Sequence, residues 1–246
     1  QALIALQRAG AETAAAQELG VSQSAVHQAV RQLEHLAAAR LITHTSRGAQ
    51  LTEAGAIAVR RIKLALAEFR LAEEDLAEHS GQVRGRIVIG ALPLSSGLVV
   101  PRAVERLLRR HEGLHVTVVD GTYDVLLHEL RHAEIDLIVG ALREPVPAAD
   151  VVQEALFVDT LSVVVRRGHP LAGRAVRTLR ELAEAAWIVP LPRTPARVAF
   201  ERAFAAEGLQ VPPDSIQVNS PAVIRALLLE SDRLALVSRR QVFREV

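Results

Sequence analysis

Two stretches of the chain, His111-Glu112-Gly113-Leu114-His115 and His128-Glu129-Leu130-Arg131-His132, carry the H-E-x-x-H pattern. In that pattern two imidazoles one helical turn apart hold zinc, and the carboxylate between them takes a proton from bound water. The chemistry requires both histidines on one helical face and a third ligand. Gly113 sits where a helix gives way to a strand, so the first match fails on geometry. The second falls on a helix. At about 100° per residue, Leu126, Leu127, Leu130 and Ala133 take its buried side and leave His128 and His132 facing water. Surface histidines are the plainer account, and a zinc hydrolase using His128, Glu129 and His132 is the enzymatic alternative. No G-x-S-x-G elbow, Walker loop or G-x-G-x-x-G turn occurs. No catalytic residue, metal or cofactor is expected.

A second constellation reads better. In VSQSAVHQAVRQLE, from Val21 to Glu34, Ser22 is placed to cap a helix by accepting from the backbone amides of the next turn. Ala25, Val26, Ala29, Val30 and Leu33 recur at helical spacing as a buried stripe. The other face carries Gln23, Ser24, His27, Gln28 and Arg31. Short amides and hydroxyls at the start of the second helix of a tight pair suit the major groove, where Gln pairs bidentately with adenine and Ser or His reaches other base edges. A solvated polar face is the bland account of one such helix. Against it stand Leu41 to His44 and Ala49 to Leu51, which flank Thr45-Ser46-Arg47-Gly48 as a β-wing whose Arg47 suits the minor groove or a phosphate. Arg31, Arg40, His44 and Arg47 cluster from the helix through the wing, while Glu12 and Glu18 fall earlier.

A third set lies where strands end. Leu94-Ser95-Ser96 follows one strand, Thr122 a second and Arg143 a third, and Pro192-Arg193-Thr194 and Asn219-Ser220 open later helices. Helix-start amides, hydroxyls and an arginine can cradle a carboxylate or another small polar group. Ordinary capping is the competing account. Arg193 suits an anion, and serves a carbonyl as well.

The elements that position these residues follow from periodicity. Leu3, Ile4 and Leu6 before Ala9-Gly10 mark a first helix, and Thr13 to Leu19, ended by Gly20, a second. From Glu53 to His79 no proline interrupts, and Val59, Ile62, Leu66, Phe69 and Leu76 form a coiled-coil seam with nothing evident to cover it, which implies a second copy. Ser80-Gly81-Gln82 begins a hinge. Strands are expected at 86–91, 114–119, 135–139, 161–165, 187–189, 215–218 and 234–237. Helices are expected at 98–110, 123–132, 195–206 and 221–229. That alternation describes βαβ units with parallel sheets in two lobes, and ligands bind beyond the carboxyl ends of such strands. The domains are thus 1–57, a linker helix 58–80, a hinge 81–85, and 86–246 with lobes of about 86–158 and 159–246.

With 246 residues, half of them hydrophobic, the chain has material for a small and a larger domain. Its apolar runs are too short to span a bilayer and no leader pattern opens it, so a soluble cytoplasmic protein is expected. The absence of cysteine excludes disulfides and thiolate metal sites, and a net charge of +1 gives no whole-chain argument for nucleic acid. With no methionine present, Gln1 is not expected to be the translated start.

In this arrangement the chain resembles the LysR-type transcriptional regulators. The resemblance is carried by Ala15-Ala16, Leu19, Val21-Ser22-Gln23, Ala25, Val30, Leu33-Glu34, Leu41, Arg47-Gly48 and Leu51-Thr52-Glu53-Ala54-Gly55. In the larger domain Ile135-Asp136-Leu137 and His169-Pro170-Leu171-Ala172 carry it. Departures are Glu12 at a usually apolar position, Ala37-Ala38, Ile42, Ser24 in place of a common Pro and His27 in place of a common Ser or Thr. The resemblance implies an N-terminal all-α winged helix-turn-helix, a linker helix, and a two-lobed α/β effector domain of the type 2 periplasmic-binding-protein kind. It also implies base-edge contacts by Gln23, Ser24, His27 and Gln28, with Ser22 and Arg47 on backbone or groove. Ser95, Ser96, Thr122, Arg193, Thr194 and Asn219 would line the effector pocket. The implied partners are an interrupted inverted repeat of double-stranded DNA, a small-molecule effector, and further copies of the chain as a homodimer through the linker helix and a homotetramer. A returning strand and C-terminal helix would be expected beyond Val246. The competing class is a small-molecule binding module without gene control.

Overall fold

The computed structural model describes residues 1–45, 48–79, 85–146, 150–174 and 178–240. It divides into two units, Gln1–Gly85 with Leu127–Ile135, and Arg86–Leu126 with Asp136–Val246.

The first unit opens with α1 (Ala2–Ala9), α2 (Glu12–Leu19) and α3 (Gln23–Ala37). Gly10 and Gly20 end the first two helices in the left-handed conformation, at φ 67° and 65°. Ser22 caps α3, its Oγ accepting from Ala25 N–H at 3.2 Å. Leu3, Leu6, Ala15, Ala16, Val26 and Val30 meet in one core. The expected stripe on α3 narrows by one residue. Ala25 lies about 100° round the helix from Val26 and is exposed, whereas Ala29 and Leu33 are half-buried.

Strands β1 (Ile42–Thr45) and β2 (Gly48–Leu51) pair antiparallel, Ile42 opposite Leu51 and Thr45 opposite Gly48. Ser46 and Arg47 lie outside the described residues. Ala49 N–H donates to the Gly10 carbonyl at 2.8 Å, which fastens the wing to the end of α1. That approach explains glycine at position 48: φ is 116°, and a Cβ there would stand 2.3 Å from the same carbonyl oxygen.

Thr52 Oγ1 accepts from Gly55 N–H at 3.0 Å and starts α4 (Glu53–His79). Val59 is fully buried and Ile62 packs on the same N-terminal core, while Leu66, Phe69 and Leu76 are 40%, 69% and 71% exposed. The seam is therefore covered by its own unit over its first two positions, and is bare only beyond them. Lys63 Nζ donates to Glu134 at 2.6 Å, within the same unit. The hinge expected at 81–85 lies outside the described residues except for Gly85.

Next along the chain β3 (Gly85–Ala91), α5 (Pro93–Ser96), α6 (Val99–Leu108), β4 (Leu114–Asp120), α7 (Tyr123–Arg131) and β5 (Leu137–Val139) alternate, in the second unit except for Gly85 and for α7 from Leu127 on. They build a three-stranded sheet of order β4-β3-β5 in which β3 and β5 run parallel. Asp136 accounts for its motif. Its Oδ2 accepts from Val88 N–H at 2.7 Å and its own N–H donates to Val88 O at 2.8 Å, setting the register.

After β6 (Leu161–Val164) come β7 (Trp187–Val189), α8 (Pro195–Ala206), β8 (Ser215–Gln217), α9 (Pro221–Glu230) and β9 (Leu234–Ser238). Their sheet has the order β6-β9-β7-β8. β7 is parallel to β8 and β9, but β6 runs antiparallel to β9, so this sheet is mixed where a parallel one is expected from the alternation. Apolar patterning reports which face a strand buries and carries no sign for its neighbour's direction. Trp187 and Val189 pack with Phe200 and Phe204 of α8 on one face, and Ile188 packs with Leu228 of α9 on the other. Coverage on both faces is why β7 is apolar throughout. In the His169-Pro170-Leu171-Ala172 tract the buried imidazole donates from Nε2 to Asp232 O at 3.1 Å and accepts Leu171 N–H at Nδ1 at 3.0 Å, pinning a turn.

Candidate nucleic-acid interface and effector cavity

Gln23, Ser24, His27, Gln28 and Arg31 all stand exposed on α3, whose buried side carries Val26 and Val30. Ser22 Oγ, already capping, lies 2.9 Å from Ser24 Oγ. Two carboxylates, Glu34 and Glu12, hold this face in place. Glu34, 7% exposed, accepts Leu41 N–H at 2.9 Å and Ile42 N–H at 3.4 Å, so the end of α3 is tied to the start of the wing. Arg31 and Arg40 approach its other oxygen at 3.7 and 3.8 Å, which places part of the basic cluster against a buried anion.

Glu12, in the first turn of α2, is only 11% exposed and lies 3.1 Å from His27 Nδ1 and 3.4 Å from Gln23 Nε2. Burial pushes its carboxyl up. The hydrogen bonds from His27 and Gln23, with the positive potential of His27 and His44, outweigh that and hold it below the usual carboxylate value. No periodicity marks Glu12 as a partner of α3, since the contact is made across the turn between helices.

In the second unit a cavity of about 500 Å³ opens at the strand ends, within the range that holds a small organic molecule. Thr122, Arg143, Arg193, Thr194 and Asn219 line it together with Leu92, Tyr123, Leu161, Pro190, Leu191 and Leu236. Arg143 is its most constrained polar group. Its guanidinium carbon stands 4.5 Å from the Tyr123 ring centroid, and Nη1 donates to Arg193 O at 3.2 Å. The Gln153 amide grips the Arg143 main chain, accepting its N–H at 2.9 Å and donating to its carbonyl at 3.0 Å. Burial pulls the guanidinium below its ordinary value, with Tyr123 and Asp124 acting against it. Its Nε is buried without a hydrogen-bond partner among the described residues.

The structure places Ser95 and Ser96 apart from the cavity lining. Ser95 is 4% exposed and its hydroxyl faces Leu92 O at 2.8 Å and Val139 O at 2.6 Å. Ser96 Oγ donates to Asp120 at 2.6 Å. Neither lines the cavity, because both hydroxyls are committed to securing α5 to the neighbouring strands. Thr194 serves mainly as a cap, accepting Arg197 N–H at 3.2 Å and donating to Leu191 O at 2.8 Å. Arg193 is exposed beside it at φ 62°, and Asn219 precedes Ser220, the cap of α9. Sequence spacing does not point to Tyr123 or Gln153. Tyr123 follows directly on Thr122, but nothing in the sequence connects Gln153 with Arg143.

His128 and His132 bring their rings to 4.1 Å between centroids, and His132 Nδ1 bonds the carbonyl of His128 at 2.7 Å. Among the described residues no group of three or more His, Asp or Glu side chains is placed to hold a metal. No described helix is long and apolar enough to cross a membrane.

Residues 1–56 match the family described as bacterial regulatory helix-turn-helix protein, lysR family, and residues 80–246 match the LysR substrate binding domain. The chain belongs to the LysR family of transcriptional regulators. Among LysR relatives, the HTH-type transcriptional regulator GalR of Pseudomonas putida is 38% identical over 231 residues, which are 94% of this chain and 58% of that protein. The HTH-type transcriptional regulator PcaQ of Agrobacterium fabrum is 30% identical over 232 residues, 94% of this chain and 75% of that one. The chain thus spans well under two thirds of the GalR length. A full-length OxyR variant from Pseudomonas aeruginosa matches the fold at a TM-score of 0.68 and 18% identity, over 98% of this chain and 77% of that one. CbnR, a LysR family regulator, matches at 0.63 and 21%, over 97% and 81%. These relatives are regulators and not enzymes.

Proposed function

We propose that this LysR chain is a sequence-specific DNA-binding regulator controlled by a small-molecule effector held between the two sheets of its second unit. The observation that carries the reading is the amide, hydroxyl and imidazole face of α3, with Gln23, Ser24, His27, Gln28 and Arg31 exposed on a capped helix that buries Val26 and Val30. Gln23, Ser24, His27 and Gln28 would meet base edges, with Ser22, Arg31 and Arg47 on backbone or groove. The bare positions Leu66, Phe69 and Leu76 of α4 suit a homodimer, and pairing of dimers into a tetramer would follow the family. A cytoplasmic location accords with such a role.

The test is selection of binding sites by the full chain from a pool of randomised duplexes, followed by fluorescence anisotropy. Enrichment of interrupted inverted repeats is expected, with affinity falling steeply as salt rises, because phosphate contacts release counterions. Recovery of a single half-site would exclude the dimeric arrangement, and no enrichment would exclude sequence-specific binding.

For the effector we propose a small organic anion with an apolar body. Arg143 is the one lining cation whose guanidinium is stacked, half-buried and left with a free buried N–H among the described residues. Screening small carboxylates by thermal shift should give a stabilising compound. Arg143→Ala should weaken its binding about tenfold or more, since a hydrogen bond to a charged group contributes roughly 1.5–3 kcal/mol. Equal affinity by titration calorimetry would remove Arg143 from the anion site.

A further inference from the structure

We infer that Glu12 is a positioning residue that fixes the hydrogen-bond polarity of the α3 recognition face, holding His27 so that its outer nitrogen accepts from an exocyclic amino group of adenine or cytosine. This inference rests on the DNA-binding reading above.

The geometry is simple. The Glu12 carboxylate is 11% exposed, and its Oε1 is 3.1 Å from His27 Nδ1. A carboxylate held ionised has no hydrogen to offer, so Nδ1 must carry one. The hydrogen bonds it accepts from His27 and Gln23, with the positive potential of His44 on β1, favour that ionised form. In the neutral imidazole one nitrogen donates and the other accepts. A proton fixed on Nδ1 therefore leaves Nε2 as an acceptor, on a side chain that is half exposed at the middle of the reading face. Major-groove donors are the N6 amino group of adenine and the N4 amino group of cytosine. The second Glu12 oxygen, 3.4 Å from Gln23 Nε2, orients that amide in the same way, since an amide oxygen turned toward a carboxylate would be repelled. One amide hydrogen of Gln23 is thus engaged, while its carbonyl oxygen stays available as an acceptor. A residue on α2 that never reaches DNA would in this way decide what two residues on α3 recognise.

Two readouts on the full chain test this. Nitrogen chemical shifts of the His27 ring, assigned with a His27→Gln variant and recorded at about pH 8.5, above the ordinary imidazole range, should show the Nδ1–H tautomer in the parent protein. Glu12→Leu should shift His27 to the Nε2–H form, and Glu12→Asp, which keeps a carboxylate, should largely restore the parent pattern. On duplexes selected by the parent chain, Glu12→Leu should lose about tenfold in affinity, and its preference should change at the same base pair that His27→Gln affects. An Nε2–H tautomer in the parent protein would overturn the proposal whether or not Glu12→Leu folds. So would unchanged base preference in a folded Glu12→Leu protein while the parent selects sites normally. If the parent selects no sites, the DNA-binding reading falls and this proposal falls with it.

Discussion

Replacing Phe204 by alanine is expected to destabilise the second unit by about 3–5 kcal/mol, the range for deleting a fully buried aromatic ring. Phe204 has no exposed surface. Its ring centroid is 4.6 Å from that of Phe200 and 5.9 Å, edge-on, from that of Trp187. Trp187 is itself fully buried, with Nε1 donating to Leu182 O at 3.0 Å, so it has little freedom to turn into the space left behind. Since Trp187 is the single tryptophan of the chain, its fluorescence reports this core directly. Thermal unfolding followed at that signal should move down by about 10 °C, given roughly 2–4 °C per kcal/mol for a chain of this size. Val198→Ala on the same helix, at a side chain 36% exposed, should stay within about 0.5 kcal/mol. A loss below about 1 kcal/mol for Phe204→Ala would mean that the aromatic cluster is not the support of this sheet.

The second large effect is expected at Glu34. Glu34→Ala removes the acceptor for Leu41 and Ile42 N–H at a 7% exposed site, leaving two buried donors unpaired. At about 1–3 kcal/mol per orphaned group, a loss of roughly 3 kcal/mol in the N-terminal unit follows. Arg31 and Arg40 add little, because at 57% and 73% exposure they return to water. Glu34→Gln keeps an acceptor oxygen and should cost about 1 kcal/mol. The charge shows itself in acid. Burial raises the Glu34 carboxyl, but the two backbone donors and the flanking arginines outweigh it and hold the native value below the ordinary one. A depressed native value means that the stabilisation is complete above the unfolded carboxylate range and is lost as pH falls through the native value. Glu34→Gln should therefore flatten the acid limb of stability against pH, measured by urea unfolding with circular dichroism. An unchanged acid limb would show that Glu34 does not carry it.

Much of the architecture was legible because it is written in local periodicity. The capped α3, the glycine-terminated helices before it, the span of α4 and the strand positions all follow from spacing within a few residues. The recognition face was legible in part for the same reason, since a helix with Val26 and Val30 inside must turn Ser24, Gln28 and Arg31 outward. Ser95 shows the limit. A hydroxyl at a helix start after a strand reads the same whether it faces a ligand or the Leu92 and Val139 carbonyls, and only packing separates the two.

The sequence by itself determined which faces are apolar, where elements start and stop, and which positions carry polar groups, because those depend on neighbours within a turn or a pleat. Only the tertiary structure decided the direction of β6, the commitment of Ser95 and Ser96, the Gln153 grip on Arg143, and the meeting of Glu12 with His27. Each of these joins residues from separate elements, and hydrogen-bond donors and acceptors act over about 3 Å in space with no regard to distance along the chain.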